Sequence, residues 1–526
     1  MEPGNSRVHG SPSWRHGLLV AMLAVTVAGP AAADEASANA NRRQVRTAAE
    51  GIRDALASIQ AVPGSFPAVS AVVVHGEATP LRHVQGVAHA GEPGDVDRHT
   101  RFYIASQTKS FLALLAAHLD EAGVLPLDTT LAQVWPQLAL PAPADPEKIT
   151  LADLLSHQEN LRTDTLNFLT AYVREVPAAD YPAMLARYTE ARPAGFRYAN
   201  LGDLVYGAAL EARTGHAWQD WLQHAVLRPM RLEEIHSRSS QVPADRVAWN
   251  HRWDGTTWIA TPPKPDGLMH AAGGLLASPD AMAAWMRANL QRRSPTGTPS
   301  ARSFEIAQTM LAKAELKDGE IDCNGYSLGW YACTYRGQSV LMHPGSYTGV
   351  VSVTVLIPSL DAGMALVTTS DSAMEGLQLE LMKAFIGAAT GHDEAARLQK
   401  VVADHPGRLA RTVASRAAAL REARADAAWE GWRWVPTDAE LARYAGTFRS
   451  ERLGTLEVER VADGLQARLG ALRLDLAPAR PGLFGASESR IDPPVAFRYA
   501  DDAASLQWRT DTFVRIGSAP AEVARP

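Results

Sequence analysis

Ser106-Gln107-Thr108-Lys109 sets a hydroxyl and an amine three residues apart. On a helix those two positions share a face, so the side chains meet. In a first helical turn the serine also gains free backbone N–H groups that stabilise an oxyanion. The positive end of the helix dipole and a buried setting both disfavour the ammonium form of Lys109. A free lysine keeps its proton up to about pH 10.4 and is a poor base. Lowering that value lets Lys109 take the proton of Ser106 and makes the serine a nucleophile. The spacing alone is weak, because a serine helix cap followed by a solvated lysine is common. Yet the chain has only seven lysines, and only Lys109 has a serine three residues before it.

Two later motifs offer partners. Tyr198-Ala199-Asn200 is the only Y-x-N in the chain, 92 residues after Ser106. A phenol beside the nucleophile relays a proton to the leaving group. An Asn amide binds a substrate carbonyl and braces the lysine. His343-Pro344-Gly345-Ser346 follows, at the end of an expected strand. There His343 would line the cleft, Gly345 would let substrate backbone come close, and the Ser346 N–H would join that of Ser106 as a second oxyanion donor. H-x-G also occurs at His89 and His405, outside that context. One further motif competes. Gly325-Tyr326-Ser327-Leu328-Gly329 fits the G-x-S-x-G nucleophile elbow, but the elbow needs a strand before it and a helix after it. Here Trp330 to Tyr335 reads as a strand.

The elements that must hold these residues follow from periodicity. A helix is expected over 43–59, a strand over Val69–His75, a turn near Gly76-Glu77 and a second strand over 82–88. Ser106 to Ala122 reads as a helix, with Phe111, Leu112, Leu115 and Leu119 at helical spacing and Gly123 as the stop. Ala271–Leu276 reads as a small-residue turn before a helix capped by Ser278 or Asp280. Three antiparallel strands are expected between Tyr326 and Thr369, broken by Arg336-Gly337, Pro344-Gly345 and Pro358–Gly363, and then a helix at about 373–389. Residues 393–435 read as a helical connector. Alternation at Leu456–Arg460 and Leu465–Leu474 marks a small β domain over 436–520. The fold class is thus α/β (α+β): an antiparallel β-sheet flanked by helices plus a helical lobe, then a small all-β unit.

Composition bounds the function. The 526 residues, 46% apolar and 21% charged, are ordinary for a globular protein, and a net charge of −6 gives no footprint for nucleic acid. Arg7 and Arg15, the apolar run Gly17–Ala28, the Gly29-Pro30 break and Ala31-Ala32-Ala33 form the pattern of a secretory signal peptide over 1–33. The run is short of the about 20 residues that span a bilayer, so the expectation is export to the periplasm or medium with no stable membrane span after cleavage. Residues 34–42 read as irregular. Cys323 and Cys333 lie ten apart; in an oxidising compartment they are able to pair, but the sequence leaves open whether they do.

The ordered trio at 106, 198 and 343 resembles the serine β-lactamase and penicillin-binding protein superfamily, and within it the class C β-lactamase-like branch that includes D-amino-acid peptidases and esterases. Phe102–Ser110, Ile149–Leu161, Ala271–Asp280 and Tyr326–Trp330 extend the likeness, which covers about residues 60–390 and implies a hydrolase domain over 43–392. The tail is similar to the lipocalin-like β-barrel that follows many such enzymes. The resemblance implies a serine hydrolase that forms an acyl-enzyme on Ser106. Lys109 would activate it, Tyr198 would relay protons, and Asn200, His343, Gly345 and Ser346 would hold substrate and oxyanion. It implies no metal or organic cofactor, and a small-molecule or peptide substrate; it leaves the oligomeric state open. His343-Pro344-Gly345 stands where the family carries K-T-G. Proline offers no donor and histidine is a weaker cation, which favours an esterase or D-amino-acid amide peptidase over an efficient β-lactamase. The loop Ser156-His157-Gln158-Glu159-Asn160-Leu161 also departs from the family's Ser-Gly before its leucine. Two other readings compete: a non-catalytic binder of cell-wall peptides with the same fold, and an α/β-hydrolase using Ser327.

Overall fold

The computed structural model describes residues 30–372, 374, 376–461 and 464–518. The expected signal peptide lies outside them except for its last four residues, which begin helix α1 (Pro30–Gln60). Residues 34–42, expected to be irregular, belong to this helix. They are rich in alanine and free of Gly and Pro, so they extend a helix whose later turns are anchored by packing. Val45, Ala49, Ile52, Leu56 and Ile59 recur at helical spacing and are fully or almost fully buried.

That stripe packs on an eight-stranded antiparallel sheet. Its strands are β1 (Ala68–His75), β2 (Ala78–Gly86), β3 (Leu316–Asp318), β4 (Ile321–Tyr326), β5 (Tyr331–Tyr335), β6 (Gln338–Tyr347), β7 (Val350–Ile357) and β8 (Ala362–Thr368), in the spatial order β3-β4-β5-β6-β7-β8-β1-β2. Arg336-Gly337 and Pro358–Gly363 turn the chain as expected. Pro344-Gly345 does not: β6 runs through both, and the turn falls at Thr348-Gly349, so four strands rather than three follow Tyr326. Proline is tolerated there because the β5 pairing ends at Tyr331 opposite Met342, which leaves the rest of β6 unpaired along that edge. Cys323 and Cys333 face each other across β4 and β5 and are joined by a disulfide.

Both faces of the sheet are covered, which is why its central strands read as continuous apolar runs. Val69, Ala71 and Val73 of β1 face α1 and a C-terminal helix (Leu377–Ala389), while Ala68, Val72 and Val74 face the opposite core. That second core holds the helix α2 (Thr108–Glu121), the helix α3 (Leu201–Thr214) and the helix α4 (Pro279–Gln291), where Phe111 and Trp285 stack at 3.7 Å. Ser278 caps α4, its side chain accepting from the Ala281 N–H at 3.2 Å.

A long helix, Ala395–Ala425, leads to a closed eight-stranded antiparallel barrel between Gly446 and Gly517, whose first and last strands pair. Inward residues such as Phe448, Leu456, Val458 and Phe513 alternate with outward ones. The barrel seats on the helical lobe: the Ala471 N–H donates to the Val173 carbonyl at 2.8 Å, and Arg490 pairs with Asp254 at 2.6 Å. Among the described residues no helix is long and apolar enough to cross a membrane.

Candidate active site

A short 3₁₀ turn, Ala105–Gln107, runs directly into α2 and carries Ser106 at its middle. Ala105 has φ of +49°, a left-handed conformation that costs a non-glycine residue free energy. Its neighbours hold it there. The Ile104 carbonyl accepts from the Gln107 N–H at 3.3 Å and from the Ser352 hydroxyl at 2.9 Å, and the Ile104 N–H donates to the Leu275 carbonyl at 3.1 Å. Strain held in this way fixes the direction of the serine that follows.

Lys109 lies one turn on and is fully buried. Its Nζ is 2.8 Å from Asn200 Oδ1, 2.8 Å from the Ala272 carbonyl oxygen and 3.4 Å from Ser106 Oγ. A neutral amine has two N–H bonds and one lone pair. The two oxygen acceptors take the two N–H bonds, which leaves the lone pair facing Ser106. Burial lowers the Lys109 pKa to about 8, opposed by the Asp203 carboxylate 3.8 Å away. Asp203, also fully buried, is pushed up to about 7 by the same desolvation, against the pull of Lys109. The pair titrates as a unit.

Asn200 and Asp203 come from the first turn of α3, three residues apart, so they reach Lys109 from one face. Tyr198 precedes them. Its ring centre is 5.0 Å from Lys109 Nζ and 4.8 Å from the ring of His157, in the loop where the sequence departs from the family pattern. The residue is 37% exposed, but desolvation around its hydroxyl pushes the phenol pKa up, opposed by hydrogen bonding with Ser106, so Tyr198 stays protonated at neutral pH.

The third motif falls differently from expectation. His343 does not line the cleft; it is fully buried behind it. Its Nε2 is 3.1 Å from the Tyr326 hydroxyl and its Nδ1 2.7 Å from the Pro344 carbonyl oxygen. Burial, reinforced by Lys109, drops its pKa to about 3, so the ring is neutral at physiological pH. Gly345 serves a close approach, but of the chain to itself: a Cβ there would stand 2.4 Å from Ser352 Oγ, 2.5 Å from the Ile104 carbonyl oxygen and 3.2 Å from the Ser106 nitrogen. Ser346 is exposed and lines the cleft together with Ser106 and Asn200.

The competing serine has another task. Ser327 sits in the turn between β4 and β5, and its buried hydroxyl accepts from the Gly329 and Trp330 N–H groups at 3.3 and 3.1 Å. Gly329 lets that turn abut α2, where a Cβ would meet the Lys109 carbonyl oxygen at 2.5 Å. No helix follows, so the elbow is absent. His405-Pro406-Gly407 lies inside a helix, with His405 Nε2 2.8 Å from the Ser65 hydroxyl.

The cleft above Ser106 has a volume of about 720 Å³. One end is the nucleophile turn. The other reaches the barrel, which contributes Glu488, Asp492 and Arg509. Sequence reasoning missed Asp203, Lys264 and the barrel residues. Asp203 had a signal, standing three positions after Asn200 on the same helix face. Lys264 had none, since its loop has no periodicity and its neighbours are distant in sequence.

The comparisons bear on family and fold. A family model described as Beta-lactamase matches residues 52–389. Penicillin-binding protein 4 of Amycolatopsis lactamdurans is 26% identical over 358 residues, covering 64% of this chain and 88% of that protein. The octameric penicillin-binding protein homologue from Pyrococcus abyssi is similar in structure, with a TM-score of 0.56 at 18% identity, over 88% of this chain and 98% of the other. The D-amino acid amidase from Ochrobactrum anthropi SV3, solved with D-phenylalanine, gives 0.54 at 18% identity, over 66% of this chain and 99% of its own. At these identities the two structures speak for the fold.

Proposed function

The chain belongs to the Beta-lactamase family of serine hydrolases, and from that premise we propose that it cleaves an ester or amide bond through an acyl-enzyme on Ser106. The observation that carries the reading is the Lys109 amine, fully buried, with two acceptors at 2.8 Å and its remaining direction toward Ser106 Oγ.

In the proposed reaction Ser106 Oγ attacks the substrate carbonyl carbon as its proton passes to Lys109 Nζ. The tetrahedral oxyanion takes hydrogen bonds from the Ser106 and Ser346 N–H groups. Strand geometry supports the second donor. In an antiparallel strand alternate residues point their N–H to the same side. Pro344 is tolerated where its nitrogen faces the unpaired edge, and Ser346, two residues on, shares that direction. Collapse of the intermediate breaks the bond to the leaving group, which receives the proton from Lys109 by way of the Tyr198 hydroxyl. Water then repeats the sequence against the acyl carbon and frees Ser106.

Neutral His343 and Pro344 supply neither the cation nor the hydroxyl of K-T-G, which supports an esterase or D-amino-acid peptidase-like activity over efficient β-lactam hydrolysis. The composition of residues 1–33 supports export to the periplasm or medium. A fluorophosphonate probe tests the assignment. Wild type and Ser327→Ala are expected to label, and Ser106→Ala to lose both label and p-nitrophenyl ester turnover, by on the order of 10⁴-fold or more. Labelling that survives Ser106→Ala and vanishes in Ser327→Ala would falsify it.

A further inference from the structure

Lys264 is a buried lysine in the lining of the cleft, and the reaction described above does not use it. It is 6% exposed and lines the same cavity as Ser106. Its Nζ has no hydrogen-bond partner among the described residues. Pro263 and Pro265 flank it and restrict the backbone on both sides, so the side chain leaves a stiff loop. The amine stands 3.8 Å from the ring centre of Tyr347 and 5.4 Å from that of Tyr103. Tyr347 follows Ser346 in the chain, and Tyr103 precedes the nucleophile turn. The amine therefore sits over two rings that flank the reacting centre.

A buried ammonium with no acceptor is costly, and two aromatic faces offset only part of that cost. Desolvation alone lowers its pKa, to about 7. Other cations lining the cleft are already engaged. Arg252 pairs with Asp492, Arg416 pairs with Asp371, and Arg509 lies over Phe168 and Trp508. His343, which stands at the lysine position of K-T-G, is neutral and buried. Lys264 thus has an open coordination shell in the cleft that Ser106 also lines, where the third motif supplies no cation. An anionic oxygen group on the substrate would complete that shell and restore the charge on the amine.

We propose that Lys264 is the docking point for a carboxylate that the substrate carries close to its scissile bond, so that the preferred substrates are acidic esters or amides. The inference rests on the acyl-enzyme reading of the same cleft. Its test is the ratio of kcat/KM for p-nitrophenyl hemiglutarate to that for the methyl ester of the same compound. Wild type is expected to favour the free acid. Lys264→Met is expected to lower the ratio by on the order of 10- to 100-fold, chiefly through KM for the acid, and Lys264→Arg to recover part of it. A ratio near one in wild type, or one unmoved in Lys264→Met, overturns the proposal.

Calorimetry with glutarate on the Ser106→Ala protein reads the subsite without turnover. Binding that is lost on adding Lys264→Met supports it; equal heats in both proteins, or none in either, overturn it. Absence of turnover on both esters would instead count against the acyl-enzyme reading, and the calorimetric result would still decide the role of Lys264.

Discussion

At the nucleophile end of the cleft, the base and its carboxylate neighbour, Lys109 and Asp203, are fully buried, and backbone helps to hold the site; at the barrel end charged groups are many, partly exposed and held mainly by one another. Ser106 and Lys109 stand three residues apart, and the carbonyls of Ile104 and Ala272 take part in fixing them. Arg252, Asp371, Arg416 and Asp492 form a chain of ion pairs between segments as much as 240 residues apart. The difference follows from what each end must do. A base has to keep a tuned pKa, which needs a dry, rigid setting where each neighbour counts. A recognition surface has to present charge at the right place and tolerates water and adjustment.

The sharpest way to break this contrast is to place the same small insult at each end. Gly345→Ala at the nucleophile end drives a methyl group into the Ile104 carbonyl oxygen and toward the Ser106 nitrogen. Backbone there cannot yield without turning the serine. A kcat loss on the order of 100-fold is expected on a neutral p-nitrophenyl ester, since displacements of about 1 Å at reacting atoms cost that much. Gly485→Ala in the barrel meets the Trp432 ring at 2.4 Å and Pro494 at 2.7 Å. Those are side-chain atoms away from the cleft lining, so the fold absorbs the change as lost stability and kcat stays within about twofold. Steady-state kinetics of the two variants decide it. Equal kcat losses would show that rigidity is not concentrated at the nucleophile.

A smaller effect sharpens the electrostatic half of the contrast. If neutral Lys109 is the base, kcat/KM rises with pH through an acid limb near pH 8. Asp203 raises the pKa of Lys109, so Asp203→Asn is expected to move that limb to lower pH. Removing a carboxylate at the barrel end, with Asp492→Asn, is expected to leave the limb in place. Initial rates on a neutral ester across pH 5–10 separate these outcomes, and a limb that stays still or climbs in Asp203→Asn contradicts the assignment.

The sequence revealed the two ends unequally, for the same reason they differ physically. Ser106 and Lys109 were legible because helix geometry converts a spacing of three into contact. The sheet and barrel were legible through alternation, as in Leu456 and Val458. The fate of His343 was hidden: whether a strand residue faces a cleft or a core depends on register, and reading a break at Pro344 obscured the register of β6. Ala105 gave no signal, because its left-handed backbone is imposed by contacts with Ser352 and Leu275 from remote strands and loops. Lys264 depends on Tyr103 and Tyr347, both distant in sequence, and the Arg252–Asp492 pair depends on docking two units; no local pattern encodes either. Residues 34–42 misled through polarity, where alanine content was the better guide.

The smallest expected effect tests whether the barrel end is recognition surface or scaffold. Arg252 grips Asp492 through two contacts, at 2.8 and 2.9 Å, and so ties the hairpin formed by Asn250–Trp253 and Trp258–Thr261 to the barrel loop beside the cleft. Asp492 also accepts from the Ser489 hydroxyl at 2.7 Å. Partly exposed ion pairs are worth about 0.2–1 kcal/mol, or about 1.4- to 5-fold in an equilibrium. Arg252→Ala should therefore raise KM for a bulky substrate that reaches the barrel by about that factor, while KM for a small ester that fills only the nucleophile end stays constant. A double-mutant cycle with Asp492→Ala isolates the pair from the loss of either charge alone. If both substrates suffer alike, the barrel acts on the catalytic turn through the fold, and the two ends are one mechanical unit. If only the larger substrate suffers, the barrel is a wall of the binding site and the chemistry beneath it is independent of its seat.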